Sequence, residues 1–134
     1  MSSKNFKNSE TNCNCGCQLN VMIQVNMMLE LVRAWAKVFY NTVNVAVIVT
    51  SGARCRYWND HEEGYKNSEH MYSIACDFKV KYKANGKWEQ VPPKMVYDFL
   101  NRMFPNSMGL GVYDTFTHGD LREKKSRWDE RTKK

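Results

Sequence analysis

Three side chains able to hold a transition metal stand out in this chain. His70 and Asp77 lie seven positions apart in Ser68-Glu69-His70-Met71-Tyr72-Ser73-Ile74-Ala75-Cys76-Asp77, and His118 opens His118-Gly119-Asp120 about forty residues later. Two imidazoles and one carboxylate make a sufficient donor set for zinc, and three protein ligands leave a fourth position for water, as a hydrolytic zinc requires. A histidine and an aspartate seven residues apart also occur by chance in many chains of this size. The elements around them must therefore carry part of the argument.

Asp77 sits in a run where Ile74, Cys76, Phe78, Val80 and Tyr82 alternate with Ala75, Asp77, Lys79 and Lys81. Such period-two alternation predicts a strand that turns its apolar set to a core and Asp77 to the opposite face. Asn85-Gly86 supplies a hairpin turn after it, with a short return strand over 87–90. A last strand over 113–122 would place Asp114, Phe116, His118, Asp120 and Arg122 on one face, making Asp120 a neighbour of His118. Upstream, Met22, Val25, Leu29, Val32, Ala36 and Phe39 recur at intervals of three and four, which predicts an amphipathic helix over 19–40, with Met27, Met28 and Trp35 widening its apolar stripe. The β-branched run 43–50 reads as a strand buried on both faces. Pro92-Pro93 begins a second helix that buries Val96, Phe99, Leu100 and Met103. The stretch 51–69, rich in Gly, Asn, Asp and Glu, is a long connection of the kind that often carries function. The fold class expected is α+β, with helices packed on a small, mainly antiparallel sheet.

At 134 residues the chain reads as one domain, 19–134, preceded by a polar, asparagine-rich arm over 1–18. That arm lacks the apolar centre of a secretory signal, so synthesis in the cytoplasm is expected, and no apolar run approaches the length of a membrane span. Twenty basic against fourteen acidic residues give a net charge of +6, which favours polyanionic partners. No finger, RNP sequence or helix-turn-helix stands out, so nucleic acid is not the expected partner. The basic stretch 121–134 reads as a solvated helix or tail. Five cysteines without an export signal argue against a disulfide framework. Cys13, Cys15 and Cys17 lack the two-residue gap usual between paired zinc cysteines, while Cys55 and Cys76 read as small buried hydrophobes.

Taken together, several segments resemble the signature of the zinc D-Ala-D-Ala carboxypeptidase and L-alanyl-D-glutamate endopeptidase family. These are Thr50-Ser51-Gly52-Ala53-Arg54, Asn59, Gly64-Tyr65-Lys66-Asn67-Ser68-Glu69-His70 through Asp77, and Tyr113 to Arg122 followed by Arg127-Trp128. The family pattern reads Ser-Gly-x-Arg, then Ser-x-His-x-x-Gly-x-Ala-x-Asp, then a histidine on a late strand. The segment from Tyr113 resembles the closing segment of its small phage and bacterial branch, and Asn5-Phe6 with Cys13 to Cys17 is similar to that branch's entry segment. The resemblance runs from about residue 5 to about residue 128. It implies a fold shared with the signalling domain of hedgehog, a Zn2+ cofactor, and hydrolysis of peptidoglycan stem peptides by metal-activated water.

Carried over position by position, the resemblance makes His70, Asp77 and His118 the zinc ligands. Arg54 becomes the residue that pairs with a substrate carboxylate or steadies a developing oxyanion, and Ser68 a substrate contact. A monomer is expected, one whose basic surface meets the anionic cell wall after release, or as part of a virion. Ser73 replaces the glycine of the long motif. Many relatives also carry an acid or a histidine two or three positions before the last ligand, where this chain has Thr115 and Phe116. The general base then falls to Asp120 or Asp114, with Asp120 preferred because it is one same-face step from His118; its other role would be to orient that ring. The missing acid also leaves room for a protein that keeps the zinc fold for binding and has lost catalysis.

Overall fold

The computed structural model describes residues 4–5, 23–52 and 74–132. In chain order these form helix α1 (Ile23–Phe39), strands β1 (Val45–Ser51), β2 (Ala75–Ala84) and β3 (Lys87–Gln90), helix α2 (Pro93–Met103), and strands β4 (Gly109–Val112), β5 (Thr117–Asp120) and β6 (Ser126–Asp129). The six strands make one sheet in the order β1-β2-β5-β4-β6. On the side of β2 away from β1, β5 pairs with its first half and β3 with its second. All pairings are antiparallel except β4 with β6. The fold is α+β, as the sequence suggests. No helix among the described residues is long and apolar enough to cross a membrane.

Both helices cover one face of the sheet. Val25, Met28, Leu29, Val32 and Ala36 of α1 and Val96, Phe99 and Leu100 of α2 share a core with Cys76, Phe78 and Val80 of β2 and Leu110 of β4. Trp35 stacks on Phe99 at 4.8 Å between ring centres and ties the helices together. The expected stripe on α1 is therefore the buried one, although Met27 and Phe39 point outward, at 63% and 56% exposure. Asn41 ends α1 by taking a left-handed backbone (φ 50°), and the Thr42 and Asn41 amides donate to the Lys37 and Val38 carbonyls. That is a Schellman stop, with asparagine in the place glycine usually takes. Asn85 and Gly86 are both left-handed (φ 54° and 78°), the backbone a two-residue hairpin turn requires.

Four expectations change. Met103, expected on the buried side of α2, is 49% exposed at the helix's last position, where the core-facing stripe has ended with Leu100. β1 is an edge strand, not one buried on both faces. Only Val45 of it is buried, and Ile48 is 41% exposed because it lies opposite Lys79 on the face away from the helices; among the described residues β2 is the one strand that pairs with β1. The late strand 113–122 is broken: β4 and β5 are joined by a tight turn in which the Tyr113 amide donates to the Phe116 carbonyl and the two rings stack at 4.3 Å. The stretch after 121 is neither a helix nor a free tail. It returns as β6, anchored by Arg127, whose guanidinium donates to the Asn101 side chain and to the carbonyls of Phe104, Ser107, Met108 and Ser126. Asn101, Phe104, Ser107 and Met108 lie along the last turn of α2 and the segment that follows it, so one cation ties β6 to the stretch leading from α2 into β4.

Candidate metal centre

Strand register brings the chemistry together. In β2 and β5, Asp77 lies directly opposite His118, and Ala75 opposite Asp120. Across β5, His118 faces Gly111 and Asp120 faces Gly109; beyond them Gly111 lies beside Trp128 of β6. On the outer flank, an irregularity between Val49 and Ser51 shifts β1 by one residue and sets Ser51 opposite Asp77. One row across the sheet thus reads Ser51, Asp77, His118, Gly111, Trp128. Cys76 and Phe78 of the intervening register serve the core, so this row occupies the face away from the helices.

Within the row, His118 is held from both ends. Its Nδ1 lies 2.7 Å from Asp77 Oδ1 and its Nε2 2.8 Å from Asp120 Oδ2. Asp120 is fully buried. Its Oδ1 accepts from the Gly109 amide at 3.0 Å, the Arg122 amide at 3.1 Å and Arg122 Nε at 2.8 Å, while Oδ2 also accepts from Arg122 Nη2 at 2.7 Å. The Trp128 ring stands 5.1 Å from the imidazole, and its Nε1 donates to the Tyr113 hydroxyl at 2.9 Å. Gly109 and Gly111 make this packing possible. A Cβ on Gly109 would sit 2.3 Å from Asp120 Oδ2, and one on Gly111 2.2 Å from Trp128 Nε1. Neither position can carry a side chain without displacing the groups that border His118.

The electrostatics follow from this enclosure. Burial disfavours a charge on His118, but hydrogen bonds and charges from Asp120 and Asp77 outweigh it and raise the imidazole pKa to about 9. Burial likewise opposes ionisation of Asp120, yet the bonds from His118 and Arg122 hold its carboxyl well below the usual carboxylate range. Cys76 is buried on the core side, where desolvation and then the charge of Asp77 push its thiol pKa well up, which suits the packing role expected of it.

The donor set suits zinc. A carboxylate oxygen and an imidazole nitrogen converge from facing strands, and the other ring nitrogen is held by a buried carboxylate, the outer-sphere support that metal-binding histidines commonly have. No cluster of three metal-ligating side chains occurs among the described residues. His70, the third ligand named from the sequence, lies outside them, as do Arg54, Ser68, His61, Cys55 and the Cys13, Cys15 and Cys17 cluster.

Of the two acids considered as general base, Asp114 leaves the site altogether. It lies in the turn between β4 and β5 and accepts from the amide and hydroxyl of Thr132. Asp120 stays beside His118 but is enclosed, with both oxygens engaged. Sequence reasoning assigned no role to Arg122, Trp128, Gly109 or Gly111. The usable signals were the i, i+2 spacing of Asp120 and Arg122 and the Gly-x-Gly just before the late hairpin.

A sequence model of the Peptidase M15 family matches residues 4–120, a segment that contains Asp77, His118 and Asp120 and ends at the last of them. No curated protein and no solved structure matches the chain. With most of its length matched and a donor pair suited to the family's metal, the chain belongs to the Peptidase M15 family of zinc-dependent peptidases that act on peptidoglycan.

Proposed function

We propose that this protein hydrolyses stem peptides of peptidoglycan, as a D-Ala-D-Ala carboxypeptidase or an endolysin-type endopeptidase, with His70, Asp77 and His118 as its zinc ligands. The observation that carries the reading is the facing pair Asp77 and His118, 2.7 Å apart, with the far ring nitrogen held by Asp120. Zinc bound there supplies Lewis acidity toward the peptide carbonyl and toward water. Asp77 brings negative charge that offsets the metal's, and His118 a neutral nitrogen through Nδ1. Asp120 acts as the acceptor that orients His118 rather than as the base, since both its oxygens are committed and it is shut away from solvent. Arg54 and Ser68 keep their proposed roles at the substrate, with Arg54 pairing with a carboxylate of the stem peptide.

The face away from the helices also suits an anionic wall. Lys79, Lys81 and Lys83 follow Asp77 on the same side of β2, and among the described residues none of the three pairs with an acid. Such a row would draw acidic polymer toward the metal pair, a contribution that salt screens.

A second reading is a zinc-fold protein that binds the wall without cutting it. It is favoured by one observation: neither acid considered as base, Asp114 or Asp120, is available beside His118. Mass analysis of muropeptides digested by the purified protein separates the readings. Released D-alanine indicates the carboxypeptidase, separated stem peptides the endopeptidase, and bound zinc with no product over long incubation the non-catalytic binder.

A further inference from the structure

We infer that Arg122 is a positioning residue that fixes His118 for metal binding through Nδ1, acting through Asp120 and Trp128. The inference rests on the zinc-peptidase reading above and extends it to a residue beyond position 120, where the match to the family ends.

Arg122 follows Asp120 by two positions, and its guanidinium folds back on that carboxylate as a two-pronged fork. Nε donates to Oδ1 at 2.8 Å and Nη2 to Oδ2 at 2.7 Å, while the backbone amide adds a third bond to Oδ1. A fork of this kind fixes the plane of a carboxylate as well as its place, which an ammonium cannot do. With the Gly109 amide also on Oδ1, the plane leaves Oδ2 directed at His118 Nε2. An ion-paired carboxylate only accepts hydrogen bonds, so Nε2 keeps its proton toward Asp120 when a metal takes Nδ1, the nitrogen turned to Asp77. The tautomer of the ligand is thereby set two bonds away from the metal.

The same cation braces the ring's second neighbour. Arg122 Cζ lies 5.4 Å from the centre of the Trp128 ring, and that ring is 5.1 Å from the imidazole. The Trp128 indole is held in turn by the Tyr113 hydroxyl. Tilting His118 out of line would require Asp120 or Trp128 to yield, and Arg122 lies against both.

The test compares full-length wild type with Arg122→Gln and Arg122→Lys. Zinc affinity is measured by competition with a chromogenic chelator, and the His118 ring nitrogens by 15N–1H multiple-bond spectra of the zinc-loaded proteins. Wild type should show one ring tautomer, protonated at Nε2 with Nδ1 on the metal. Arg122→Gln should bind zinc about 10- to 100-fold more weakly, the range typical for lost outer-sphere partners. Arg122→Lys, which restores the charge without the fork, should recover part of that loss, and both variants should show a mixed or broadened ring pattern. Should Arg122→Gln not fold, Arg122→Lys and Trp128→Phe give the same comparison. Affinities within twofold of wild type and an unchanged ring pattern in the variants overturn the inference. A wild type that binds no zinc overturns the reading beneath it instead.

Discussion

Gly109→Ala is the smallest change that should reach the metal centre from outside it. The added Cβ would lie 2.3 Å from Asp120 Oδ2, 2.6 Å from Oδ1 and 2.5 Å from Arg122 Nε, where ordinary contact begins at 3.4 Å. The carboxylate must therefore move by about 1 Å, since repulsion at such distances is steep. It is poorly placed to do so, because the bonds that hold it are 2.7–3.1 Å long and come from His118, Arg122 and the Gly109 amide itself. Breaking two charge-assisted bonds at a buried carboxylate costs on the order of 3–5 kcal/mol. The loss also releases Nε2 of His118, so zinc affinity should fall by roughly 10- to 100-fold. Denaturant unfolding and chelator competition read the two effects separately. Gly86→Ala is the control: its Cβ would meet nothing within 4 Å, and it should cost only about 1–2 kcal/mol through its left-handed backbone, with wild-type zinc affinity. Gly119→Ala should fall between, because the atoms it meets are the flexible end of Met28. If Gly109→Ala is no worse than Gly86→Ala and binds zinc like wild type, the packed carboxylate is not what holds His118.

Arg127→Ala should destabilise the protein by about 2–4 kcal/mol in denaturant unfolding, because it removes the hydrogen bonds that tie β6 to the segment following α2, yet leave zinc affinity within twofold. After chelation, stability should depend on pH through His118. Its folded pKa of about 9 stands above the ordinary 6.5, so the imidazolium contributes in full below pH 6.5 and its contribution is lost as pH rises through 9. The gain is about 3 kcal/mol at most, and thermal melts of chelated His118→Asn should be flatter than wild type across that window. Binding to purified cell walls should weaken between low and physiological salt, and a triple Lys79, Lys81 and Lys83 to Gln variant should lose most of that salt dependence; equal slopes would remove the lysine row from the account.

Much of the fold was legible because β2 and α1 are governed by burial on one side. Asp77 alternates with Cys76 and Phe78, so its face could be read from period two alone, and the α1 stripe follows the same logic at 3.6. The late hairpin was not legible. Tyr113 to Phe116 offers no Gly or Pro to mark a turn, and it is closed by stacked rings and one backbone bond that no local pattern announces. The parallel pairing of β6 with β4 depends on Arg127 reaching carbonyls some twenty residues away, a contact between segments that propensity cannot see. At the site, residue types gave His118 and Asp120, but only the register showed Asp120 facing Gly109 and closed in by it. That enclosure fits Asp120 to orient His118 rather than to act as a base.

The central claim is that Asp77 and His118 hold a zinc ion that hydrolyses peptidoglycan peptides. Purified protein should carry one zinc per chain and release peptide products from isolated peptidoglycan, measured by mass spectrometry. Activity should vanish on chelation, return with added zinc, and be absent in His118→Ala together with the metal. Hydrolysis that persists in the chelated protein or in zinc-free His118→Ala would contradict the account.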